Sequence, residues 1–453
     1  MSELKDIYFI GIGGIGMSAI ARYYNHAGYR VSGYDLTPSK LTANLEAEGI
    51  DIHYEDDINR IPKDIESTFV IYTPAIPPTL KELQYVEKMG YRLCKRSRAL
   101  GEIAADKDCF AIAGTHGKTT TSTLLAHIFH HSGEGCSAFL GGISKNYQSN
   151  LILSKGKNLV AEADEFDRSF LQLFPKYAAI TSVDADHLDI YNDYNTLNHT
   201  FTQFASQVKS DGAVIVNINV DIDLSPVTAR VYRYSYDKEC DFYASEIKLV
   251  DNGYFDFTIN FPGGKIEHCT IGIPGWINVE NAIAAFSVAY LEGISPEKIK
   301  EALRTYEGVE RRFDIRIKSE KVAYVDDYAH HPNEISASIS SIRNIFPGRK
   351  VCGIFQPHLY SRTKDFAPEF AKALSALDEL ILLDIYPARE LPIPGVTSSI
   401  IFDKVELENK VLIKKEELME ELKHHDIDVL VTLGAGNIDR FIPLIEDYLE
   451  KNV

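Results

Sequence analysis

The residues best suited to chemistry form one short run, in which an apolar strand at 109–113 leads into glycines, a lysine and threonines. The run reads Gly114-Thr115-His116-Gly117-Lys118-Thr119-Thr120. Glycines let successive backbone N–H groups point at a phosphate, Lys118 would neutralise the β- and γ-phosphates, and the Thr119 hydroxyl would hold Mg²⁺. The run predicts an ATP site rather than a turn that binds nothing. It is shorter than the common phosphate loop, because Ile112 stands where that loop has its first glycine.

A second glycine motif, Gly11-Ile12-Gly13-Gly14-Ile15-Gly16, follows a strand, opens a helix and precedes Asp35 at the end of the next strand. This pattern is the dinucleotide fingerprint, which taken alone indicates an NAD-dependent dehydrogenase. Its physics is that of a diphosphate on a helix N-terminus, and a UDP-sugar presents the same group. Because the chain already has an ATP site, the motif favours a nucleotide-linked substrate that is coupled to ATP cleavage.

Two acidic motifs follow apolar strands and indicate Mg²⁺ chemistry. In Glu162-Ala163-Asp164-Glu165 the carboxylates lie at the C-terminal end of a strand, where doubly wound sheets bind ligands, and Glu162 would coordinate the ion. In Asp186-His187-Leu188-Asp189, His187 would bind a second divalent ion or orient a phosphate. The alternative for His187 is a loop histidine that is hydrogen-bonded to a carboxylate.

These motifs need three α/β segments to position them, and we predict domains at 1–107, 108–310 and 311–453. The first is Rossmann-like. The second is a P-loop-type ATPase domain with a parallel sheet and a small antiparallel patch at about 231–273, and the third is again Rossmann-like α/β. Strands are predicted at Ile7–Ile10, Tyr29–Tyr34, Thr68–Tyr72, Asn158–Ala163, Ala178–Val183, Gly212–Asn217, Val322–Val325, Val351–Phe355, Glu379–Leu383 and Val429–Leu433.

Composition excludes several classes of function. The formal net charge of −18 over 453 residues argues against a general basic face for nucleic acid. No apolar stretch approaches the roughly 20 residues that span a membrane, and we recognise no signal peptide, so we expect a cytoplasmic protein. The six cysteines show no paired spacing, which favours reduced core thiols over disulfides or zinc ligands.

The order of these motifs resembles one family, the Mur ligases of peptidoglycan synthesis. The segments that carry the resemblance extend over nearly the whole chain: Gly11–Met17, Gly114–Thr121, Glu162–Asp167, Asp186–Asp189, Gly275–Asn281, Arg311–Asp314, Asp326–Pro332, Phe355–Thr363, Tyr386–Gly395 and Gly434–Asn437. The resemblance implies three domains that bind a UDP-sugar, ATP and an amino acid in turn.

The resemblance also implies a reaction, the ATP-dependent ligation of L-alanine to the lactyl carboxylate of UDP-N-acetylmuramate through an acyl phosphate. Its cofactors would be ATP and Mg²⁺, with Mn²⁺ as a substitute. Its partners would be these small molecules alone, with no nucleic acid and no membrane insertion, and the protein would be a monomer or a weak homodimer.

Roles for individual residues are implied in the same way. Lys118, His187 and Arg312 would be catalytic, and Thr119, Glu162 and His187 would hold metal. ATP would contact Gly114, Thr115, His116, Gly117, Lys118, Thr119, Thr120, Asn278, Arg312, Asp326 and Asp327. The UDP-sugar would contact Gly13, Gly14, Gly16, Met17, Asp35, Thr73 and Ala75. The amino acid would contact Tyr328, His330, His331, His358 and Arg362.

Three positions depart from the family pattern. Thr202 stands where several Mur ligases carry a carbamoylated lysine, Ile277 replaces a histidine near adenine, and Leu359 replaces an arginine of some relatives. Arg362 would therefore carry more of the binding of the alanine carboxylate. The alternatives are an NAD dehydrogenase, which leaves Lys118 and Glu162 without a role, a non-enzymatic nucleotide-gated scaffold, and a family member that attaches a preformed peptide to the same sugar.

Overall fold

A computed structural model describes residues 4–184, 191, 193–250, 253–388 and 390–452. The strands, numbered in chain order, are β1 Asp6–Ile10, β2 Arg30–Tyr34, β3 Asp51–His53, β4 Thr68–Tyr72, β5 Arg92–Lys95, β6 Asp108–Ala113, β7 Ser137–Ser144, β8 Ser149–Ile152, β9 Asn158–Ala163, β10 Tyr177–Ile180, β11 Ala213–Asn217, β12 Arg230–Ser235, β13 Phe242–Leu249, β14 Phe255–Phe261, β15 Gly264–Thr270, β16 Asp314–Lys318, β17 Ala323–Asp327, β18 Val351–Phe355, β19 Glu379–Leu383, β20 Lys410–Ile413 and β21 Val429–Leu433.

The α-helices lie between these strands. They are Ile15–His26 (α1), Lys40–Ala47 (α2), Lys81–Met89 (α3), Arg96–Ala104 (α4), Lys118–His131 (α5), Tyr194–Ser206, Trp276–Leu291, Pro296–Arg304, Pro332–Ile345, Tyr360–Asp365, Ala367–Leu374, Ser399–Phe402, Leu418–Glu421 and Ile442–Asn452. Among the described helices, none is long and apolar enough to cross a membrane.

The strands of the described chain form three sheets, as the sequence predicts. The first has the order β3-β2-β1-β4-β5 and is parallel. The central sheet has the order β15-β14-β13-β12-β11-β10-β6-β9-β7-β8, and the last has the order β16-β17-β21-β18-β19-β20. Both are mixed, because β7 and β8 pair antiparallel in one and β16 and β17 in the other. The fold is therefore a three-sheet α/β architecture.

A strand is found at each predicted place, although the one predicted at Ala178–Val183 ends at Ile180, and one detail of the central sheet is corrected. The patch predicted as antiparallel begins with β12, which instead pairs parallel with β11, and β13 continues parallel to β12. The connection from β14 to β15, through Pro262 and Gly263, has the length of a hairpin turn. The alternation of apolar and polar residues indicates which face of a strand is buried but not the direction in which the strand pairs. It therefore could not distinguish parallel from antiparallel pairing.

Contacts divide the chain into two compact units. The first unit comprises Met1–Glu246, Phe257–Thr270 and Glu280–Glu307, and the second comprises Ile247–Asp256, Ile271–Val279 and Gly308–Val453. The first unit thus holds the first sheet and most of the central one, and the second holds the last sheet. The predicted domain boundaries at 107 and 310 stay a prediction.

Within the first unit, a buried polar junction joins the first sheet's α1 to the β7–β8 ribbon. The side chain of Asn150 donates to the Ile15 carbonyl at 2.6 Å and to the Ser18 hydroxyl at 2.8 Å, and it accepts a hydrogen bond from Arg22. Arg22 also pairs with Glu48 at 2.7 Å. Because buried polar groups need such partners, this network fixes how α1 lies against the central sheet.

Candidate active site

The predicted phosphate loop is a tight turn between β6 and α5 in the first unit. Gly114 and Gly117 adopt positive φ angles of 136° and 81°. A side chain at position 114 would overlap the Thr181 hydroxyl. The loop is tied to the strand end beside it, since the His116 N–H donates to the Ser182 hydroxyl at 2.8 Å and the Thr115 N–H donates to the Ser182 carbonyl at 3.0 Å. The turn is therefore held in shape before any ligand binds.

Lys118 opens α5, and its ammonium group bends back over this turn. It donates to the Gly114 carbonyl at 2.5 Å and pairs with the Glu165 carboxylate, with Nζ 2.8 Å from Oε2. Burial lowers the pKa of Lys118, but Glu165, Asp164 and Glu162 outweigh it, so the pKa lies above its usual value. The lysine is a positive charge at the place where a polyphosphate would enter.

Oxygen groups suited to a divalent ion lie in the same unit. Thr119 is buried beside Lys118 in the first turn of α5, and Glu162 in β9 accepts a hydrogen bond from the Gly141 N–H at 3.1 Å. Hydroxyl and carboxylate oxygens are the donors that Mg²⁺ prefers. His187 and the rest of the Asp186–Asp189 motif lie outside the described residues.

The acidic segment after β9 pairs with more cations than the sequence indicated. Besides Glu165 with Lys118, Asp164 pairs with Arg96 of α4 at 3.1 Å and Asp167 pairs with Lys95 at 2.7 Å. Arg96 and Glu165 were not predicted as site residues, because no spacing rule connects residues 47 or more positions apart. Their residue types alone were the available signal: a carboxylate close to Glu162 and an arginine that begins a helix.

The N-terminal glycine turn is built around Asp35. The Gly13 N–H donates to Asp35 Oδ2 at 2.7 Å, and a Cβ at position 13 would lie 2.8 Å from that oxygen. Gly14 is the N-cap of α1, and Gly16 in its first turn lies against Arg96, whose Nη1 would be 2.6 Å from a Cβ there. The first N–H groups of α1, which have no acceptor inside the helix, lie beside a guanidinium group. This is a suitable place for a diphosphate.

Of the remaining residues predicted to contact the UDP-sugar, Thr73 lies against the glycine turn, whereas Met17 and Ala75 do not both face it. Thr73 lies against Gly11, where a Cβ would be 2.8 Å from the Thr73 methyl group, so the structure brings these two together. Met17 is buried in the core of the first unit, and Ala75 is exposed on the loop after β4. The Met17 side chain therefore packs in the core, and only its backbone lies in the first turn of α1.

In the second unit, the neighbouring residues Arg311 and Arg312 make different contacts. Arg311, rather than Arg312, pairs with the buried Asp326, with Nε 3.2 Å from Oδ2, and it donates to the Gly434 carbonyl at 2.9 Å. Asp326 thus has an ion-pair partner in this unit. Arg312 lies over the Tyr328 ring with Cζ 4.6 Å from the centroid.

Asn278, which was predicted to contact ATP, also lies in the second unit. Its side chain donates to the Pro274 carbonyl at 2.6 Å.

Asp327 gives a testable pH dependence. Burial raises the pKa of Asp327 to about 6. When folding raises the pKa of a carboxyl group, the protein is more stable while that group is protonated, and it loses this stability as the pH rises through the pKa of the folded state. Asparagine cannot ionise, so the free energy of unfolding of Asp327→Asn should rise relative to that of the parent protein as the pH increases. We expect this difference between the two proteins to grow by about 1–2 kcal/mol from about pH 5 to pH 8. Denaturant unfolding of both proteins at each pH measures this, and a difference that does not change with pH would contradict it.

Most of the residues predicted for the amino acid form a series of ring contacts that includes His358, the neighbour of Arg362. The His358 ring stacks on Tyr386 at 5.8 Å and meets the His330 ring edge-on at 6.0 Å, and Tyr328 packs against His330 at 5.3 Å. Arg362 is buried, with Nη1 3.4 Å from His358 Nδ1. Four of the five predicted residues are therefore brought together, and Tyr386 joins them as a residue that the sequence analysis did not assign.

The fifth, His331, is placed differently. It is the N-cap of the helix Pro332–Ile345, where Nδ1 accepts from the Asn333 N–H, and its ring packs edge-on against Phe366 at 5.0 Å. Leu359, beside the cluster, is buried with a positive φ of 70°. Such a backbone conformation is strained for a leucine and is typical of functional sites.

Three models of one family match the chain in order: "Mur ligase family, catalytic domain" over residues 6–108, "Mur ligase middle domain" over 112–289, and "Mur ligase, glutamate ligase domain" over 311–436. The chain is 50% identical over 455 residues to the UDP-N-acetylmuramate–L-alanine ligase of Porphyromonas gingivalis, with 99% of each chain covered. It is 49% identical to that of Parabacteroides distasonis, with 100% of this chain and 99% of the relative covered.

Solved structures agree with these relatives. The chain resembles the UDP-N-acetylmuramate–alanine ligase of Thermotoga maritima with a TM-score of 0.85 at 26% identity, covering 99% of this chain and 100% of that one. It also resembles a murein peptide ligase of Psychrobacter arcticus with a TM-score of 0.75 at 21% identity, covering 99% of each chain. The second likeness shows the fold alone.

Proposed function

The chain belongs to the Mur ligase family, and we propose that it joins L-alanine to the lactyl carboxylate of UDP-N-acetylmuramate with cleavage of ATP to ADP and phosphate. The observation that carries this proposal is the identity of 50% to the alanine ligase of Porphyromonas gingivalis over 99% of both chains. Family membership replaces the dehydrogenase and scaffold alternatives. It also gives Lys118 and Glu162 a role in ATP chemistry, which those alternatives did not.

The proposed reaction has two steps. An oxygen of the lactyl carboxylate attacks the γ-phosphorus of ATP, so that ADP leaves and an acyl phosphate forms. The amine of L-alanine then attacks the acyl carbon, the amide bond forms and phosphate leaves with loss of a proton from nitrogen. Lys118 supports the first step, because its ammonium group offsets the charge on the phosphoryl oxygens in the transition state.

We place the divalent ion on Thr119 and Glu162, with His187 as a further ligand, and expect Mg²⁺ or, as a substitute, Mn²⁺. The buried Thr119 hydroxyl and the Glu162 carboxylate fit a hard cation. When bound, the ion would offset negative charge on the phosphates. The chain's own contribution is to orient these oxygens, as the Gly141 N–H does for Glu162.

The second unit supplies the other two ligand sets in this proposal. Asn278, Arg312, Asp326 and Asp327 would contact ATP, and the cluster of Tyr328, His330, His358 and Arg362 would bind L-alanine. A buried guanidinium group matches a carboxylate in charge and geometry.

One assay tests the function as a whole. Phosphate release is measured with ATP, UDP-N-acetylmuramate and either a single amino acid or a preformed tripeptide. We expect release with L-alanine that needs the sugar nucleotide. Preference for the tripeptide would identify the chain as a peptide-adding ligase instead, and release with neither would contradict both assignments.

The N-terminal glycine turn gives a second test. In Gly13→Val the side chain would push Asp35 off the Gly13 N–H and distort the turn, so we expect UDP-N-acetylmuramate affinity to fall by about tenfold or more. ADP affinity should not change. The control is Gly156→Val, since a Cβ at that exposed position has no neighbour closer than 3.7 Å. Titration calorimetry measures both ligands, and micromolar NADH binding without sugar binding would contradict the assignment.

We further propose that the protein works in the cytoplasm, because ATP and nucleotide-activated sugars are made there. Its partners are the small-molecule substrates, and its assembly as a monomer or weak homodimer stays a prediction.

A further inference from the structure

Glu165 is a fully buried carboxylate to which neither step of the proposed reaction assigns a role. It follows β9, and its exposed fraction is 0%. Both of its oxygens contact Lys118 Nζ, Oε1 at 3.0 Å and Oε2 at 2.8 Å. Burying a carboxylate costs free energy unless an opposite charge or hydrogen bonds offset it, so the pair with Lys118 is what makes this position tolerable.

The backbone around Glu165 is fixed by several independent contacts. Its carbonyl accepts hydrogen bonds from the Tyr191 hydroxyl and from the Arg168 N–H. Asp167 and Arg168 both take positive φ angles, of 52° and 54°, which turn the chain sharply after the carboxylate. Such conformations are strained for non-glycine residues and persist where the surroundings enforce them. The segment is therefore built to hold Glu165 in place.

The other two acids of the segment make their ion pairs with other cations and not with Lys118. Asp164 pairs with Arg96 and Asp167 pairs with Lys95. The other contacts of the Lys118 ammonium group are carbonyls of its own loop, Gly114 at 2.5 Å and Thr115 at 3.4 Å. Glu165 is thus the group from outside the loop that sets the direction in which the lysine points.

We propose that Glu165 is a positioning residue for the proposed reaction. It holds Lys118 beside the phosphate loop and keeps the ammonium group directed at the phosphoryl group that is transferred. The inference rests on the proposed function. It has a consequence that a purely structural role lacks: a fixed anion beside the lysine weakens the ground-state attraction for a polyphosphate, while its positioning supports turnover.

The test compares Glu165→Gln with the parent enzyme. The amide keeps the size and removes the charge, so we expect ADP to bind about threefold or more tightly while kcat for phosphate release falls about tenfold or more. Glu165→Asp keeps the negative charge but moves the carboxylate one methylene further from Lys118. ADP affinity should therefore equal that of the parent enzyme, while kcat should still fall. Calorimetry with ADP and steady-state phosphate release are the two readouts.

The matched control is Glu292→Gln. It removes the carboxylate of a second lysine–glutamate ion pair in the same unit, the partly buried pair of Lys176 and Glu292 at 2.6 Å. It should change neither quantity. Weaker ADP binding together with lower kcat in Glu165→Gln would overturn the proposal, as would parental kcat in either Glu165 variant. If the parent enzyme released phosphate with no acceptor, the proposed function would fail, and the ADP affinities alone would still decide the electrostatic role of Glu165.

Discussion

Replacing Lys118 with alanine should abolish turnover while leaving the UDP-sugar site intact. The ammonium group lies over the Gly114 carbonyl at the N-terminus of α5, where the β- and γ-phosphates would enter. Groups that stabilise developing charge in this way contribute about a hundredfold or more to kcat, so we expect at least that loss. The proposed sugar site lies at the separate turn at Gly11–Gly16, and UDP-N-acetylmuramate affinity should therefore change by less than about twofold.

Phosphate release and calorimetry with the sugar nucleotide measure the two quantities. The matched control is Lys209→Ala, which removes an exposed lysine of the same unit and should retain parental turnover. Retention of more than about a tenth of parental kcat in Lys118→Ala would remove the assigned role. Loss of sugar affinity together with a lower thermal midpoint would mean that the lysine mainly stabilises the fold, because Glu165 would then be left buried without its counter-ion.

The sequence was sufficient for those features whose physics is local. The turn from β6 into α5 follows from an apolar strand, two glycines and a lysine within ten residues, and the structure gives Gly114 and Gly117 the positive φ angles that such a turn needs. Most inner strands of the three sheets were predicted because buried parallel strands are short apolar runs. Edge strands such as β16 were missed, since about half of the residues in such a strand are exposed and its apolar pattern is weaker.

Contacts between distant parts of the chain could not be predicted in this way. Nothing in the spacing of Lys118 and Glu165 indicates that they pair, and nothing near Gly16 indicates that Arg96 lies against it. His331 was assigned with its neighbour His330, but successive residues at a helix start point in different directions, and His331 caps the helix that follows. The ion pair between Arg311 and Asp326 could not be predicted either, because the two residues lie 15 positions apart on different elements.

The second large effect is expected at the proposed amino-acid site. Arg362 lies on the short helix Tyr360–Asp365, is 6% exposed and contacts His358, which stacks on Tyr386. Leu359 occupies the position where some relatives carry an arginine, so Arg362 is the cation that the proposal assigns to the alanine carboxylate. Removing one partner of a buried charge pair costs about 2–5 kcal/mol, which corresponds to a factor of about thirty or more in affinity.

Arg362→Met should therefore raise the KM for L-alanine about a hundredfold, with ADP and UDP-N-acetylmuramate affinities unchanged, because methionine keeps the apolar part of the side chain and loses the charge. Phosphate release at varied alanine concentration measures this. Lys364→Met on the same helix is the control, since that lysine is exposed and should leave KM within about twofold of the parent value. An unchanged KM for Arg362→Met would place the alanine carboxylate elsewhere. A parallel loss of ADP affinity and thermal stability would show instead that the buried guanidinium group holds the His358–Tyr386 cluster together and that the effect on alanine is indirect.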